Sequence, residues 1–214
     1  MEKLRRHGWH QIDPVSGHLA CGTDGLGKMP DPKELYQYVR RELAFPHDLA
    51  GMKVLVTAGA TQEAIDPVRY ITNHSTGKMG YQTALAALRR GARVTLISGP
   101  TPLEPPMGAR LVKVTSAAQM FQAVQEALPT ADIVIKSAAV ADYRPLQAAD
   151  HKIKKKEGDL SIPLARTDDI LAWLGEHRRP GQAVIGFSME TDDLIQNSSK
   201  KLEKKKVDMI VANS

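Results

Sequence analysis

Between Met52 and Gly80 the chain reads MKVLVTAGATQEAIDPVRYITNHSTGKMG, an apolar run followed by Thr57, Thr61, Asp66, Arg69, Asn73, His74, Ser75, Thr76 and Lys78. That is more hydroxyl, amide and charge than a connector needs, and a long loop in a compact α/β unit is usually functional. Gly77 and Gly80 stand where a helical pattern from Met79 to Arg90 begins, so free backbone N–H groups and the positive end of a helix dipole would meet an anion there. Phosphate is the natural guest. The spacing around Gly59 is neither G-x-G-x-x-G nor G-x-x-x-x-G-K-[ST], which leaves plain turn glycines as an equal alternative.

Three further segments carry chemistry. In Ala138-Ala139-Val140-Ala141-Asp142-Tyr143-Arg144-Pro145, Asp142 could accept from a ribose hydroxyl or help hold a metal, or simply start a turn before Pro145. The small alanines would let a planar base approach the backbone. Residues 152–156 and 160–165 flank Glu157-Gly158-Asp159 and read as a β-hairpin, with Lys152, Lys154 and Lys156 on one face. A solvated basic edge is the plainer reading of those lysines. Lys201 and Lys205 are four apart on a helix expected to start near Thr191, sharing a face that could grip phosphates or simply meet solvent.

The elements that must position these residues are legible from periodicity. Met52 to Ala58 reads as a strand buried on both faces. Arg93 to Ser98, Leu111 to Thr115 and Asp132 to Ser137 read as the next three strands, with helical patterns over 79–90 and 117–128 between them. Ala183 to Phe187 and Asp208 to Ala212 supply two more. Strands alternating with helices imply an α/β fold, a Rossmann-like doubly wound parallel sheet with right-handed crossovers and an inserted β-hairpin. Ligands of such sheets bind beyond the carboxyl ends of the strands. The first and fourth strands are neighbours in the common strand order, so Asn73 and Asp142 would face one crevice. A short glycine-rich N-terminal segment over 1–46 and a linker over 47–50 precede a nucleotide-binding domain over 51–214.

Composition narrows the function. With 42% hydrophobic and 25% charged residues the chain is an ordinary soluble globular protein, and it has no apolar run of bilayer length and no secretory leader. One cysteine excludes an internal disulfide framework and fits a cytoplasmic setting. A formal charge of +5 favours anionic partners. A short-chain dehydrogenase binding NADP would need Tyr-x-x-x-Lys, and no tyrosine here has lysine four residues on. A nucleic-acid binder is disfavoured because 5% aromatic residues offer few stacking platforms and 24 acids dilute the basic field.

Taken in order, TAGATQEAIDPVRYITNHSTGKMG, SAAVADYRP, HKIKKK with LARTDDIL, IGFSMETDDL and KKLEKKKVDMIVANS resemble phosphopantothenoylcysteine synthetase from Gly51 onward. The leader HQIDPVSGHLACGTDGLGKMPDPKEL resembles the carboxyl-terminal flap of phosphopantothenoylcysteine decarboxylase. The resemblance implies a ligase in which CTP activates 4′-phosphopantothenate as an acyl-cytidylate and L-cysteine then forms the amide. It implies Lys152, Asn73 and Arg69 as catalytic residues. It places the nucleotide on Gly59, Ala138, Ala139, Asp142, Lys152, Ala165, Arg166, Thr167, Asp168, Phe187, Lys201 and Lys205, and phosphopantothenate on Asn73, Gly77, Lys78 and Arg69. Mg²⁺ is expected with the CTP, its ligands unassigned, and a homodimer without nucleic-acid or membrane partners. Cys21 matches a decarboxylase proton donor. FMN is expected only in a decarboxylase domain absent from this chain, so the chain alone is not expected to decarboxylate. Relatives usually continue past the final strand, so the end at Ser214 suggests truncation.

Overall fold

The computed structural model describes residues 2–155, 157–189 and 193–213. The chain divides into two compact units, Met1–Pro46 and His47–Ser214.

The first unit holds helix α1 (Glu2–Arg6), an antiparallel hairpin of β1 (Val15–His18) and β2 (Asp24–Lys28), and helix α2 (Pro32–Ala44). The hairpin turn closes through Leu19 N–H to the Thr23 carbonyl and Gly22 N–H to the Leu19 carbonyl, with Gly22 at φ 84°. Asp31 caps α2 by accepting from the Lys33 N–H, and Pro32 opens the helix where its missing N–H costs nothing.

In the second unit the strands are β3 (Lys53–Ala58), β4 (Gln62–Ala64), β5 (Tyr70–Thr72), β6 (Arg93–Ser98), β7 (Arg110–Lys113), β8 (Ile133–Lys136), β9 (Tyr143–Pro145), β10 (Leu164–Arg166), β11 (Ala183–Met189) and β12 (Met209–Asn213). The helices are α3 (Lys78–Arg89), α4 (Ala117–Ala127), α5 (Ile170–His177) and α6 (Leu194–Lys205). Six strands form one parallel sheet in the order β12-β11-β8-β3-β6-β7. The α/β, doubly wound architecture is therefore the one expected, and β3 and β8 are neighbours.

Alternation along β3 explains the two cores. Leu55 packs with Met120, Val124, Val134 and Leu174 on one face, while Val54, Val56 and Ala58 pack with Tyr81, Ala84 and Leu88 of α3 on the other. Each such fully buried aliphatic side chain contributes roughly 1.5–3 kcal/mol. Gly80 lets α3 sit close to the sheet: a Cβ there would lie 2.5 Å from Ala58 Cβ and 2.9 Å from the Thr57 carbonyl oxygen.

The amino-terminal edge of the sheet is closed by saturated pairs. Asp132 accepts from the Lys53 N–H and from Arg179, and Asp208 accepts from the Val184 N–H and from Arg178. The Lys53 N–H and then Arg179 hold the Asp132 carboxyl below its ordinary pKa, and Arg178 chiefly, with the Val184 N–H, does the same for Asp208.

Two local expectations change. Residues 152–155 and 160–163 form no strand; the inserted antiparallel pair is instead β9 with β10, in the register Tyr143↔Arg166 and Pro145↔Leu164. The reason lies at Ile153, whose N–H goes to Asp66 and whose carbonyl accepts from Arg69, so that backbone is engaged elsewhere. Lys156, expected on the hairpin face, lies outside the described residues. So does Thr191, and the described helix runs Leu194–Lys205. The segment after β3 is also more ordered than a loop, since β4 and β5 pair antiparallel.

Candidate functional site

A cleft of about 460 Å³ opens at the carboxyl end of β8 and β11. Lys136 comes from the last position of β8, Phe187 from β11, Tyr143 from β9, Arg166 from β10, and Lys201 and Lys205 from α6; Asp142, Thr167, Asp168 and Asp169 also line it. The four-residue spacing of the two α6 lysines does put both on the cleft side. Ile170 and Leu171 give it an apolar floor beside the half-buried Phe187.

The rim is tied together by hydroxyls and backbone. Thr167 donates its Oγ1–H to the Ala141 carbonyl at 2.6 Å and its N–H to the Asp142 carbonyl at 3.0 Å, which joins β10 to the turn after β8. Buried Thr57 and Thr61 accept from the Ala138 and Ala141 N–H groups at 3.2 and 3.0 Å. They shape the turn from beneath.

Charges in the cleft are unevenly satisfied. Lys205 pairs with Asp169, which also caps α5 by accepting from the Ala172 N–H. Burial works to raise the Asp169 pKa, but the hydrogen bonds from Lys205 and Ala172 outweigh it and hold the carboxyl below its ordinary value. Lys201 donates to Ser188 Oγ at 3.0 Å. Half-buried Lys136 donates to the Ala138 carbonyl at 3.0 Å, and desolvation pushes its ammonium below the usual lysine pKa against the pull of Asp169 and Asp142.

Of the residues singled out in the sequence, Asp142, Arg166, Thr167, Asp168, Phe187, Lys201 and Lys205 line this cleft. Ala138 is buried in the turn beneath it, and Ala165 pairs with Arg144 in the β9–β10 ladder. Ala139 extends the β3–β8 ladder by donating its N–H to the Gly59 carbonyl at 2.9 Å. Gly59, at φ 80°, packs against the Gly99 backbone and against Gly77, the left-handed residue that opens α3. Asn73 reaches the site indirectly, donating from Nδ2 to the carbonyl of cleft-lining Val140 at 3.2 Å.

The others stand apart from the cleft. Arg69 makes a two-point pair with buried Asp66 and donates to the Ile153 carbonyl. Lys152 is exposed beside Ile153, and Lys78 is exposed at the start of α3. Lys136 and Asp169 are cleft residues that the sequence reading did not single out. The signal for Lys136 was a charge ending the otherwise apolar run Ile133-Val134-Ile135.

In the N-terminal unit, exposed Cys21 sits at the hairpin turn with Sγ 3.2 Å from Thr23 Oγ1. That hydrogen bond is the largest influence lowering the thiol pKa. Thr23→Val is therefore expected to move the pH profile of Cys21 alkylation by iodoacetamide toward alkaline pH and to slow the reaction at neutral pH. An unchanged profile would remove Thr23 as the cause.

The family model for the DNA/pantothenate metabolism flavoprotein C-terminal domain matches residues 49–214. The chain is 47% identical over 213 residues to the coenzyme A biosynthesis bifunctional protein CoaBC of Bacillus subtilis, covering 98% of this chain and 52% of that protein. It is 45% identical over 219 residues to a cysteine/cysteine sulfinic acid decarboxylase of an unknown prokaryotic organism, covering 99% of this chain and 60% of that one. The crystal structure of the C-terminal domain of a CoaBC protein superposes with a TM-score of 0.69 at 48% identity, covering 77% of this chain and 78% of that one. The chain spans about half the length of the curated relatives it matches. No described helix is long and apolar enough to cross a membrane.

These findings correct the sequence reading. The matched description is of a flavoprotein domain, and the relative named for its reaction is a decarboxylase aligned along nearly the whole chain. The reading as phosphopantothenoylcysteine synthetase is withdrawn on that ground, and with it the CTP-dependent ligation, CTP and Mg²⁺ as cofactors, and CTP and L-cysteine as partners. The expectations that FMN belongs only to a decarboxylase domain absent from this chain and that the chain alone does not decarboxylate fall for the same reason. The physical cause is generality: lysines and small residues at the carboxyl end of a parallel sheet suit any phosphate-bearing ligand, so they do not specify a nucleoside triphosphate.

Proposed function

This chain belongs to the family of DNA/pantothenate metabolism flavoprotein C-terminal domains, and we propose on that premise that its cleft binds a phosphorylated substrate of coenzyme A biosynthesis, related to phosphopantothenoylcysteine, within a protein whose reaction includes decarboxylation. The observation that carries this reading is the convergence of Lys136, Arg166, Lys201 and Lys205 from three elements on one cleft. Four cations outnumber the three carboxylates there, and charge-assisted hydrogen bonds from ammonium and guanidinium groups suit phosphate. The names of the relatives support the pathway and the reaction type.

Flavin mononucleotide shares the phosphate and adds a planar ring. The cations would hold its phosphate, and Phe187 with Ile170 and Leu171 offers an apolar surface for the ring. When bound, flavin supplies oxidation–reduction chemistry. The chain's own contribution is to hold the phosphate in the cleft and, in the N-terminal unit, to carry a transferable proton on Cys21 Sγ, whose pKa the Thr23 hydrogen bond lowers.

Calorimetric titration with phosphopantothenoylcysteine, its dephosphorylated form and FMN tests the reading. Removing the phosphate, or replacing Lys201 and Lys205 together by glutamine, should weaken phosphopantothenoylcysteine binding about 100-fold, the effect of two charge-assisted hydrogen bonds. FMN fluorescence in the same titration reports whether flavin competes for the cleft. Equal affinity for the phosphorylated and dephosphorylated forms would overturn the proposal.

A further inference from the structure

We propose that the amino-terminal edge of the central sheet, at the end away from the cleft, binds an acidic segment of a partner protein through Lys53, Arg93 and Arg110. This surface is independent of what the cleft holds.

The three cations are the first residues of β3, β6 and β7, which are adjacent strands, and all three are exposed. Lys53 stands directly opposite Arg93, and Arg110 stands opposite Thr95, two residues after Arg93. Period-two alternation therefore puts the three side chains on one face of the sheet, the face on which Leu55 is buried further along β3. Neighbouring strands lie about 4.8 Å apart, so like charges stand side by side, an arrangement that costs stability.

The protein offers them no counter-ion. Three carboxylates around this edge are each matched to an arginine, Asp48 to Arg90, Asp132 to Arg179 and Asp208 to Arg178. The carbonyls after α4 are taken too, Leu128 and Ala131 by Gln182, and Ala131 by Arg179 as well. Among the described residues the side chains of Lys53, Arg93 and Arg110 make no hydrogen bond or ion pair, and Lys53 meets Asp132 only through space. Arg110 alone is explained as a charge that keeps the outer strand β7 from pairing with another chain. Lys53 and Arg93 lie on interior strands, where that role does not arise.

The layout selects the partner. A compact phosphate site needs converging backbone N–H groups, but the Lys53 N–H goes to Asp132 and the Arg93 N–H to the Met52 carbonyl. Cations stepped one strand at a time suit a row of carboxylates spaced about 6–7 Å, the repeat of alternate residues on an extended chain. A single nucleic-acid strand favours aromatic platforms, and the exposed aromatic side chains of the second unit, Tyr70 and Tyr143, belong to β5 and β9, outside the six-stranded sheet. A second copy brings a charge of +5 of its own.

The test is an NMR titration of the whole chain with octaglutamate and with a single-stranded DNA oligonucleotide of equal charge. Octaglutamate should shift the amides of Val54, Val94 and Leu111, which follow the three cations. The Lys53→Gln/Arg93→Gln/Arg110→Gln variant should bind it about tenfold more weakly, the combined effect of three exposed ion pairs, and added salt should shrink that difference. The same variant should unfold at no lower denaturant concentration than wild type, since repulsion is relieved and no internal contact is lost. Lys201→Gln/Lys205→Gln should leave the edge shifts as they are. Shifts confined to the cleft, unchanged affinity in the triple variant, or a lowered unfolding midpoint in it would each overturn the inference. Tighter binding of the oligonucleotide at the edge would overturn the assignment to an acidic protein segment.

Discussion

Gly175→Ala is expected to destabilise the protein by about 2 kcal/mol or more and to weaken phosphate binding in the cleft, although alanine is the better helix former by about 1 kcal/mol. On an open helix face the propensity would win. At Gly175 it does not, because a Cβ would lie 1.8 Å from the Lys205 carbonyl oxygen, 3.0 Å from its carbon and 3.2 Å from the Lys206 carbonyl oxygen. These are backbone atoms at the end of α6, so no rotamer relieves the clash and the helices must separate. Lys206 ends α6 in the left-handed region at φ 53°, which fixes where that last turn lies. Separation would carry Lys205 away from Asp169 and from the cleft it lines. Denaturant unfolding and phosphopantothenoylcysteine titration check both effects, with Glu176→Ala, an exposed neighbour on the same helix, as the control that should change neither. Wild-type stability in Gly175→Ala would refute the close packing of α5 on α6.

Asp66→Asn should release the segment that joins β4–β5 to residues 149–153. The Asp66 side chain is fully buried, with Oδ1 accepting from the Val68 and Arg69 N–H groups at 2.9 and 2.8 Å. Oδ2 accepts from Arg69 Nε and Nη2 and from the Ile153 N–H at 3.0 Å. An amide offers one acceptor oxygen and turns two donors toward groups that are all donors. The Val68, Arg69 and Ile153 amides should exchange with solvent at least about tenfold faster in the variant.

The pH dependence has a definite sign. Arg69 chiefly, with the backbone donors, holds the Asp66 carboxyl well below the usual carboxylate range. Its contribution is therefore fully present above the unfolded aspartate pKa of about 3.9 and is lost as pH falls from there through the folded value. Asp66→Asn lacks that contribution. The stability gap between the two proteins should be flat near neutrality and close on acidification below about pH 4. A gap that stays constant into acid would show that the charge is not the cause.

Most of the sheet was legible in the sequence because its strands are uniform apolar runs. Arg93 to Ser98 was read with both ends in place, and the β3–β8 adjacency followed from topology. The 152–165 region failed for a definite reason. Its alternation of lysine with Ile153 mimics a strand, but pairing is decided by where the backbone donors go, and Asp66, 87 residues away, takes the Ile153 N–H. Lys201 and Lys205 were legible because helical spacing alone puts them on one face. Lys136 was not, since a charge at the end of an apolar strand looks like the place where burial stops. Asp169 was missed because its place in the cleft shows only through its ion pair with Lys205 of α6, 36 residues later, while its cap of α5 is local.

The reach of the Asp66 carboxylate also has a bearing on time. Its bonds to Val68 and Arg69 are local, whereas the bond to Ile153 closes a long stretch of chain that includes β6, β7 and β8. Closing so long a loop has an entropic cost that must be met before the contact returns anything. Pairing of β3 with β8, Val54 opposite Ile133, spans a stretch of similar length, so once those strands are joined the Asp66–Ile153 contact closes at little further entropic cost.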